Sequence, residues 1–224
     1  MATHPLEITG LRPAGLLILA LAMLACGGRA PAVDTTGSPT AAYARDELFQ
    51  SMRQGGYVIY MRHTEATAGV DPDSSQVAGW WMSCDSAQAR QLSPEGRRQA
   101  EALGYRLSLL ALPLRGIYTS EFCRCRQTAE LMGLPGLPVR GVRELTAKVY
   151  PQPDRLASVL DFAAGHGAAD AVLLLVGHAL PESDAWPALA SGDALILQWR
   201  GNSPPEFVAR LSPADWPTGP REDK

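Results

Sequence analysis

Three short apolar segments constrain the fold most strongly, because they have the composition of strands buried inside a sheet. They are residues 57–61, 116–120 and 171–176, and the first and third are apolar throughout. Strands covered on both faces have this continuous pattern, whereas strands with one exposed face alternate apolar and polar residues. Amphipathic stretches lie between the segments. We therefore predict an α/β fold with a mostly parallel central sheet and helices on both faces.

Helices are predicted before and between these strands. The clearest begins at Ser93 and Pro94, since serine at the N-cap followed by proline is a common helix start. Leu103 and Leu107 continue it at helical spacing. The other helices are predicted at residues 46–53, 124–132 and 153–164, a final hairpin at residues 194–199 and 206–211, and a loop containing Trp80 and Trp81 at residues 70–90.

Residues 1–26 differ from the rest of the chain and look like an export signal. A polar start containing Arg12 is followed by an apolar run at residues 14–25, which is short of the roughly 20 residues needed to span a bilayer. The sequence MLAC at residues 23–26 resembles a bacterial lipoprotein box, in which the cysteine, here Cys26, becomes lipidated. We predict export to the periplasm or cell envelope with a lipid anchor at Cys26. The alternative is a buried or disordered apolar N-terminus.

The remaining chain is predicted to contain one folded domain. Residues 27–42 are small, polar and rich in proline and glycine, which indicates a flexible linker. The domain follows at residues 43–217, and residues 218–224 form a disordered tail. A net charge of −3 offers no basic surface for nucleic acid, so no nucleic-acid partner is expected.

Residues suited to phosphate chemistry follow each of the three predicted strands. Arg62 and His63 follow the first, Arg124 lies shortly after the second, and His178 comes after the third. Because the carboxyl ends of parallel strands form the ligand crevice of such sheets, these side chains can converge. Arginine matches phosphate oxygens with two parallel N–H groups, and a neutral imidazole can attack phosphorus to form a covalent phosphohistidine. This chemistry requires no metal or other cofactor.

The same segments resemble the signatures of the histidine phosphatase (phosphoglycerate mutase-like) superfamily. The similar segments are residues 60–66 (YMRHTEA), 92–100 (LSPEGRRQA), 119–129 (TSEFCRCRQTA) and 176–178 (VGH), in the order that the family has them. The resemblance implies a three-layer phosphoglycerate mutase-like fold. It also implies that His63 is the phosphorylated nucleophile and that Arg62, Arg124 and His178 bind the phosphate.

Two cysteines give the resemblance a further implication. Cys84, ahead of the Leu-Ser segment, and Cys123, just before Arg124, are similar to the cysteines of an exported bacterial subgroup. This implies a disulfide between Cys84 and Cys123 that holds the tryptophan loop at the rim of the phosphate site. Arg126, two residues after Arg124, is predicted to be a solvated charge on its helix.

The acid that protonates the leaving oxygen is harder to assign. Glu144 lies roughly where mutase-like members of the family carry it, but without the neighbouring glycine pattern, and Glu182 and Asp184 are alternatives. Some small members lack this acid and act on good leaving groups such as phosphohistidine. The predicted function is hydrolysis of a phosphate monoester or of phosphohistidine, on a small molecule or a phosphoprotein. The alternatives are a degenerate phosphate- or partner-binding envelope module and a phosphoglycerate-type mutase.

Overall fold

A computed structural model of the chain describes residues 39–69, 71, 77–146, 149–150, 154–181 and 186–219. Strands and helices alternate along this part of the chain, as the apolar segments predict. In order, the elements are α1 (Pro39–Met52), β1 (Tyr57–Arg62), α2 (Pro94–Ser108), β2 (Leu114–Ser120), α3 (Cys123–Leu131), β3 (Val139–Val142), α4 (Arg155–His166), β4 (Val172–Gly177), β5 (Ala194–Arg200) and β6 (Ser203–Leu211).

The described residues form one six-stranded sheet with the strand order β3-β2-β4-β1-β5-β6. Strands β3, β2, β4 and β1 run parallel to one another, and β5 and β6 form an antiparallel hairpin whose first strand pairs antiparallel with β1. The predictions of a mostly parallel sheet and of a final hairpin are therefore confirmed. β1 and β4 are adjacent at the centre, with Arg62 opposite Gly177 at their carboxyl ends.

Alternate residues of the central strands pack against helices on opposite faces of the sheet. Ile59 and Met61 of β1 face the core formed with α1, α2 and α3, whereas Val58 and Tyr60 face the core formed with α4. Each fully buried aliphatic side chain of this kind stabilises the fold by about 1.5–3 kcal/mol. The three-layer arrangement is therefore the one that the apolar runs predict.

Some boundaries differ from the sequence-based predictions. The strand β3 was missed because its sequence VRGV lacks an apolar run, and its two central residues are exposed at the edge of the sheet. Helix α1 begins at Pro39, ahead of the predicted start and within the range predicted as a linker. The predicted signal at residues 1–26, most of the linker and residues 220–224 lie outside the described residues. In the part that is described, no helix is both long and apolar enough to cross a membrane.

Candidate active site

The carboxyl ends of β1 and β4 bring His63 and His178 together. The backbone N–H of His63 donates to the carbonyl of Gly177 at 2.9 Å, which continues the pairing of the two strands by one residue. The two imidazole rings meet edge to face, with centroids 5.5 Å apart. Both side chains are buried, with 5% and 7% of their surface exposed. The convergence predicted for these two histidines is present in the structure.

The hydroxyl of Tyr60 fixes the backbone that carries His178. It donates to the carbonyl of His178 at 2.8 Å and accepts from the backbone N–H of the same residue at 3.1 Å. A Cβ on the preceding residue, Gly177, would lie 2.4 Å from this hydroxyl, so glycine at this position leaves room for the Tyr60 side chain. Tyr60 therefore holds the second histidine in place from the neighbouring strand.

The surroundings of His63 select a neutral imidazole. Its Nδ1 lies 2.7 Å from the carbonyl oxygen of Thr64, and a carbonyl can only accept, so Nδ1 carries the hydrogen and Nε2 keeps its lone pair. Burial lowers the pKa of His63 to about 3, and the positive charges of Arg124 and Arg62 add to this lowering, while the hydrogen bond to Thr64 opposes it. At neutral pH, His63 is therefore a neutral imidazole with the lone pair on Nε2, which is the state that a nitrogen nucleophile requires.

We expect the lowered pKa of His63 to be visible in solution. Because that pKa is about 3, the imidazole should stay neutral from about pH 8 to below about pH 5, whereas an ordinary histidine titrates near 6.5. Long-range ¹H–¹⁵N NMR spectra, assigned by comparison with His63→Asn, report the protonation of each ring nitrogen. A midpoint for His63 between pH 6 and 7 would contradict this prediction.

The lowered pKa of His63 also affects stability. Since the unfolded chain binds this proton more readily, the free energy of unfolding should fall as the pH drops from about 6.5 towards 3.

Two arginines supply positive charge beside the histidines. Nη1 of Arg62 donates to the carbonyl of Leu189 at 2.5 Å, and the guanidinium of Arg124 lies over the ring of Phe122, 4.2 Å from its centroid. The Nε–H group of each arginine is buried and has no hydrogen-bond partner among the described residues. Buried donors of this kind are normally paired, and phosphate oxygens would pair them.

Two threonines connect the loop of His63 to the helix of Arg124. The backbone N–H of Thr64 donates to Oγ1 of Thr128 at 3.2 Å, and the two hydroxyl oxygens lie 3.1 Å apart. The hydroxyl of Thr128 in turn donates to the carbonyl of Arg124 at 2.8 Å. This chain of bonds sets the position of His63 relative to Arg124. Thr128 lies in the segment that resembles the family, but its contact with Thr64 was not predicted.

The start of α2 supports the same loop from the other side. The backbone N–H of Ser93 donates to the carbonyl of Glu65 at 3.0 Å, and the N–H of Glu65 donates to the side chain of Gln99 at 3.2 Å. The Ser93 hydroxyl caps α2 by accepting from the N–H of Gly96 at 2.9 Å, as predicted for this helix start. The conformation of the residues after His63 therefore depends on the segment LSPEGRRQ.

A disulfide and a hydrogen bond hold the tryptophan loop at the rim of the site. The structure has the bond between Cys84 and Cys123, with Cα atoms 5.3 Å apart. Arg126 is not the solvated charge that was predicted, because its guanidinium donates to the carbonyl of Met82 at 3.1 Å. The Arg126 side chain thus reaches from α3 to the backbone of the loop. Cys123 and Arg126, which lie on either side of Arg124 in α3, therefore both contact this loop.

A carboxylate that the sequence-based reasoning missed lies in the same rim. Glu121 accepts hydrogen bonds from the indole N–H of Trp81 at 2.8 Å and from the hydroxyl of Tyr150 at 2.7 Å. The hydrogen bond to Glu121 raises the pKa of the Tyr150 hydroxyl. Trp80 packs edge to face on Phe122, with centroids 5.6 Å apart. Glu121 directly follows β2, but nothing in the sequence distinguishes it from a solvated glutamate.

The predicted acid Glu144 lies beyond the carboxyl end of a parallel strand, at the same end of the sheet as the histidines. It is half-buried in a short 3₁₀ turn directly after β3, whose last residue, Val142, pairs with Ser120 of β2. The hydroxyl of Ser120 is 2.9 Å from Nε2 of His178. The alternatives Glu182 and Asp184 lie outside the described residues. The role of Glu144 as the acid stays a prediction.

Comparisons with known proteins agree with this fold. Residues 59–147 match the family model of the histidine phosphatase superfamily (branch 1). The fold is similar to that of the protein histidine phosphatase SixA complexed with tungstate, at 20% identity and a TM-score of 0.51, covering 71% of this chain and 98% of that one. It also matches a mycobacterial glucosyl-3-phosphoglycerate phosphatase at 16% identity and a TM-score of 0.48, covering 68% and 96% of the two chains.

The match to the family model includes Arg62 at the end of β1, His63 directly after it, the segment that begins α2, and the start of α3. A comparison with curated protein sequences finds no match. Within the described residues, no group of three or more histidine, cysteine, aspartate or glutamate side chains could hold a metal ion. The match of residues 59–147 to the histidine phosphatase superfamily confirms the resemblance stated from the first three sequence segments, and the fourth, at residues 176–178, lies beyond the matched range.

Proposed function

We propose that this chain is a phosphatase in which His63 accepts the phosphoryl group from the substrate and passes it to water. The observation that carries the proposal is the state of His63: a buried, neutral imidazole whose Nδ1 is bonded to Thr64, which leaves Nε2 as the nucleophile. Arg62 and Arg124 supply charge beside it, and each has a buried Nε–H without a partner among the described residues.

The first step transfers the phosphoryl group to the enzyme. The lone pair of His63 Nε2 forms a bond to phosphorus while the bond from phosphorus to the leaving group breaks. The imidazole becomes positively charged, and the hydrogen bond from Nδ1–H to the Thr64 carbonyl stabilises this charge. Arg62 and Arg124 offset the negative charge on the equatorial phosphate oxygens as it shifts in the transition state.

The second step returns the enzyme to its starting state. A water molecule attacks phosphorus, the bond to Nε2 breaks, and inorganic phosphate leaves. His178 lies edge to face with His63, where it can donate a hydrogen bond to the phosphoryl oxygens in both steps. The scheme needs no metal or cofactor. It divides one difficult displacement into two easier ones.

The leaving group decides how much an acid matters. An alkoxide needs a proton as it departs, and we propose Glu144 as the donor because of its place beyond β3 at the edge of the sheet that carries the histidines. A leaving group such as an imidazole needs less help. We therefore propose a phosphate monoester or a phosphohistidine as substrate, on a small molecule or a phosphoprotein.

We also propose that the protein works outside the cytoplasm. The apolar run at residues 14–25, followed by Cys26, has the composition of a lipoprotein signal. The disulfide between Cys84 and Cys123 supports the proposal, since such bonds persist in oxidising compartments such as the periplasm. A lipid anchor at Cys26 would keep the enzyme at the cell envelope.

Trapping the phosphorylated enzyme tests the catalytic part of this proposal. The purified protein is mixed with ³²P-labelled p-nitrophenyl phosphate, quenched in alkali, digested and mapped. We expect the label on the peptide that contains His63, stable in alkali and lost in acid, together with release of phosphate. Label on another residue would contradict the mechanism. Absence of both label and phosphate release, with p-nitrophenyl phosphate, acetyl phosphate and phosphoramidate alike, would favour the non-enzymatic binding module.

A further inference from the structure

The guanidinium of Arg124 is already paired with a carboxylate, that of Asp71. Nη1 and Nη2 of the arginine lie 2.8 and 3.3 Å from the two carboxylate oxygens. The side chains of Arg124 and Asp71 are 7% and 15% exposed. The backbone N–H of Arg90 donates to the same carboxylate at 3.1 Å. Asp71 is therefore held beside the proposed phosphate site by a bidentate ion pair and a third hydrogen bond.

A phosphoryl group would compete for the same donors. Arginine binds carboxylate and phosphate with the same planar fork of N–H groups, so the two anions are alternative partners for one guanidinium. In this structure the fork formed by Nη1 and Nη2 is used by Asp71. The Nε–H of Arg124 has no partner among the described residues. An incoming phosphate must therefore displace Asp71 or share Arg124 with a like charge.

We propose that Asp71 is an internal ligand of Arg124 that a phosphoryl group displaces on binding, and that it thereby limits the affinity of the site for phosphate. The proposal rests on the proposed function, because it takes Arg124 as a phosphate ligand. It makes Asp71 a determinant of substrate affinity rather than a participant in the chemistry. Phosphorylated substrates with further contacts outside the phosphate site are favoured over free phosphate, since those contacts offset the displacement of Asp71.

A purely orienting role of Asp71 leads to the opposite expectation. If the carboxylate only held Arg124 in position for the phosphate, its removal would weaken phosphate binding. Arg124 has a second support, since its guanidinium lies over the ring of Phe122 at 4.2 Å from the centroid. This contact does not depend on Asp71. The sign of the change in affinity therefore separates the two roles.

Isothermal titration calorimetry with inorganic phosphate tests the proposal. The proteins compared are wild type, Asp71→Asn and Asp71→Ala, with Asp161→Asn as the control for the loss of one negative charge. Asp161 is exposed on α4, which packs on the opposite face of the sheet from α3. We expect the Kd for phosphate to fall roughly tenfold in both Asp71 variants, as the charge-assisted pair is lost, and to stay unchanged in Asp161→Asn.

Other outcomes would overturn the proposal. A Kd that rises in Asp71→Ala would identify Asp71 as an orienting residue, and an unchanged Kd would remove it from the phosphate site. In both cases wild type still binds phosphate, so the proposed function stands. If no protein of the set binds phosphate, the inference and the proposed function fail together. Asp71→Asn keeps the shape of the side chain, and thermal melting confirms that each variant is folded.

Discussion

Replacement of His63 by alanine is expected to lower kcat/KM for p-nitrophenyl phosphate by roughly 10⁴-fold. Among the described residues, no second imidazole nitrogen is equivalent to Nε2 of His63, because the neutral state of His63 depends on burial, on the hydrogen bond to Thr64 and on the two nearby arginines. The imidazole of His178 has its Nε2 directed to the hydroxyl of Ser120 at 2.9 Å, so it cannot attack phosphorus with that atom. Steady-state release of p-nitrophenol measures the effect.

The control for this experiment is His166→Ala. His166 ends α4 and stacks on Phe162, with ring centroids 3.9 Å apart. Helix α4 packs on the face of the sheet opposite to α3, the helix that carries Arg124. Removal of the His166 side chain costs packing but should leave kcat/KM within about twofold. His63→Asn, which keeps a polar side chain, should be as inactive as His63→Ala. Activity within tenfold of wild type in either His63 variant would rule out His63 as the nucleophile.

Replacement of Gly96 by alanine is expected to destabilise the fold by about 3 kcal/mol and to remove most of the activity. A Cβ at this position would lie 1.9 Å from the carbonyl oxygen of Glu65 and 2.8 Å from its carbonyl carbon. Both are backbone atoms, so no side-chain rotation relieves the clash. Either α2 moves or the segment after His63 moves, and the second movement displaces His63. Denaturant unfolding and p-nitrophenyl phosphate turnover measure the two effects.

A second helical glycine offers a matched control. A Cβ at Gly165, near the end of α4, would meet no atom within 4 Å. Gly165→Ala should therefore leave activity unchanged and stabilise the protein by up to about 1 kcal/mol, because alanine favours the helix. If Gly96→Ala unfolds at the same denaturant concentration as wild type and keeps its activity, the start of α2 does not lie as close to the Glu65 backbone as the structure has it.

The features that could be predicted from the sequence are those encoded within single segments. The run at residues 57–61 indicates a buried strand, and Arg62 and His63 must then stand at its carboxyl end. The same holds for His178 after β4. Ser93 and Pro94 mark the start of α2 because capping depends only on neighbouring residues. For these elements local sequence and tertiary structure agree, so each element can be predicted from its own segment alone.

The features that could not be predicted arise from contacts between distant segments. Asp71 is an ordinary loop aspartate until the fold brings it to Arg124, and Thr64 gives no sign of its partner Thr128. Arg126 follows a helical pattern typical of a solvated face, yet the disulfide-linked loop lies across it. Within the described sheet the strand β3 pairs with β2 alone, and its own residues carry no strand pattern.

The separation of the two imidazoles is set by the repeat of the sheet. Arg62 and Gly177 are paired across β1 and β4, so His63 and His178 stand one residue beyond a paired position. Neighbouring strands lie about 4.8 Å apart, and the ring centroids are separated by a similar 5.5 Å. The backbone positions of the two histidines are therefore set by the pairing of β1 and β4. Changes in loops that contact neither strand can therefore leave the backbone spacing of the two histidines unaltered.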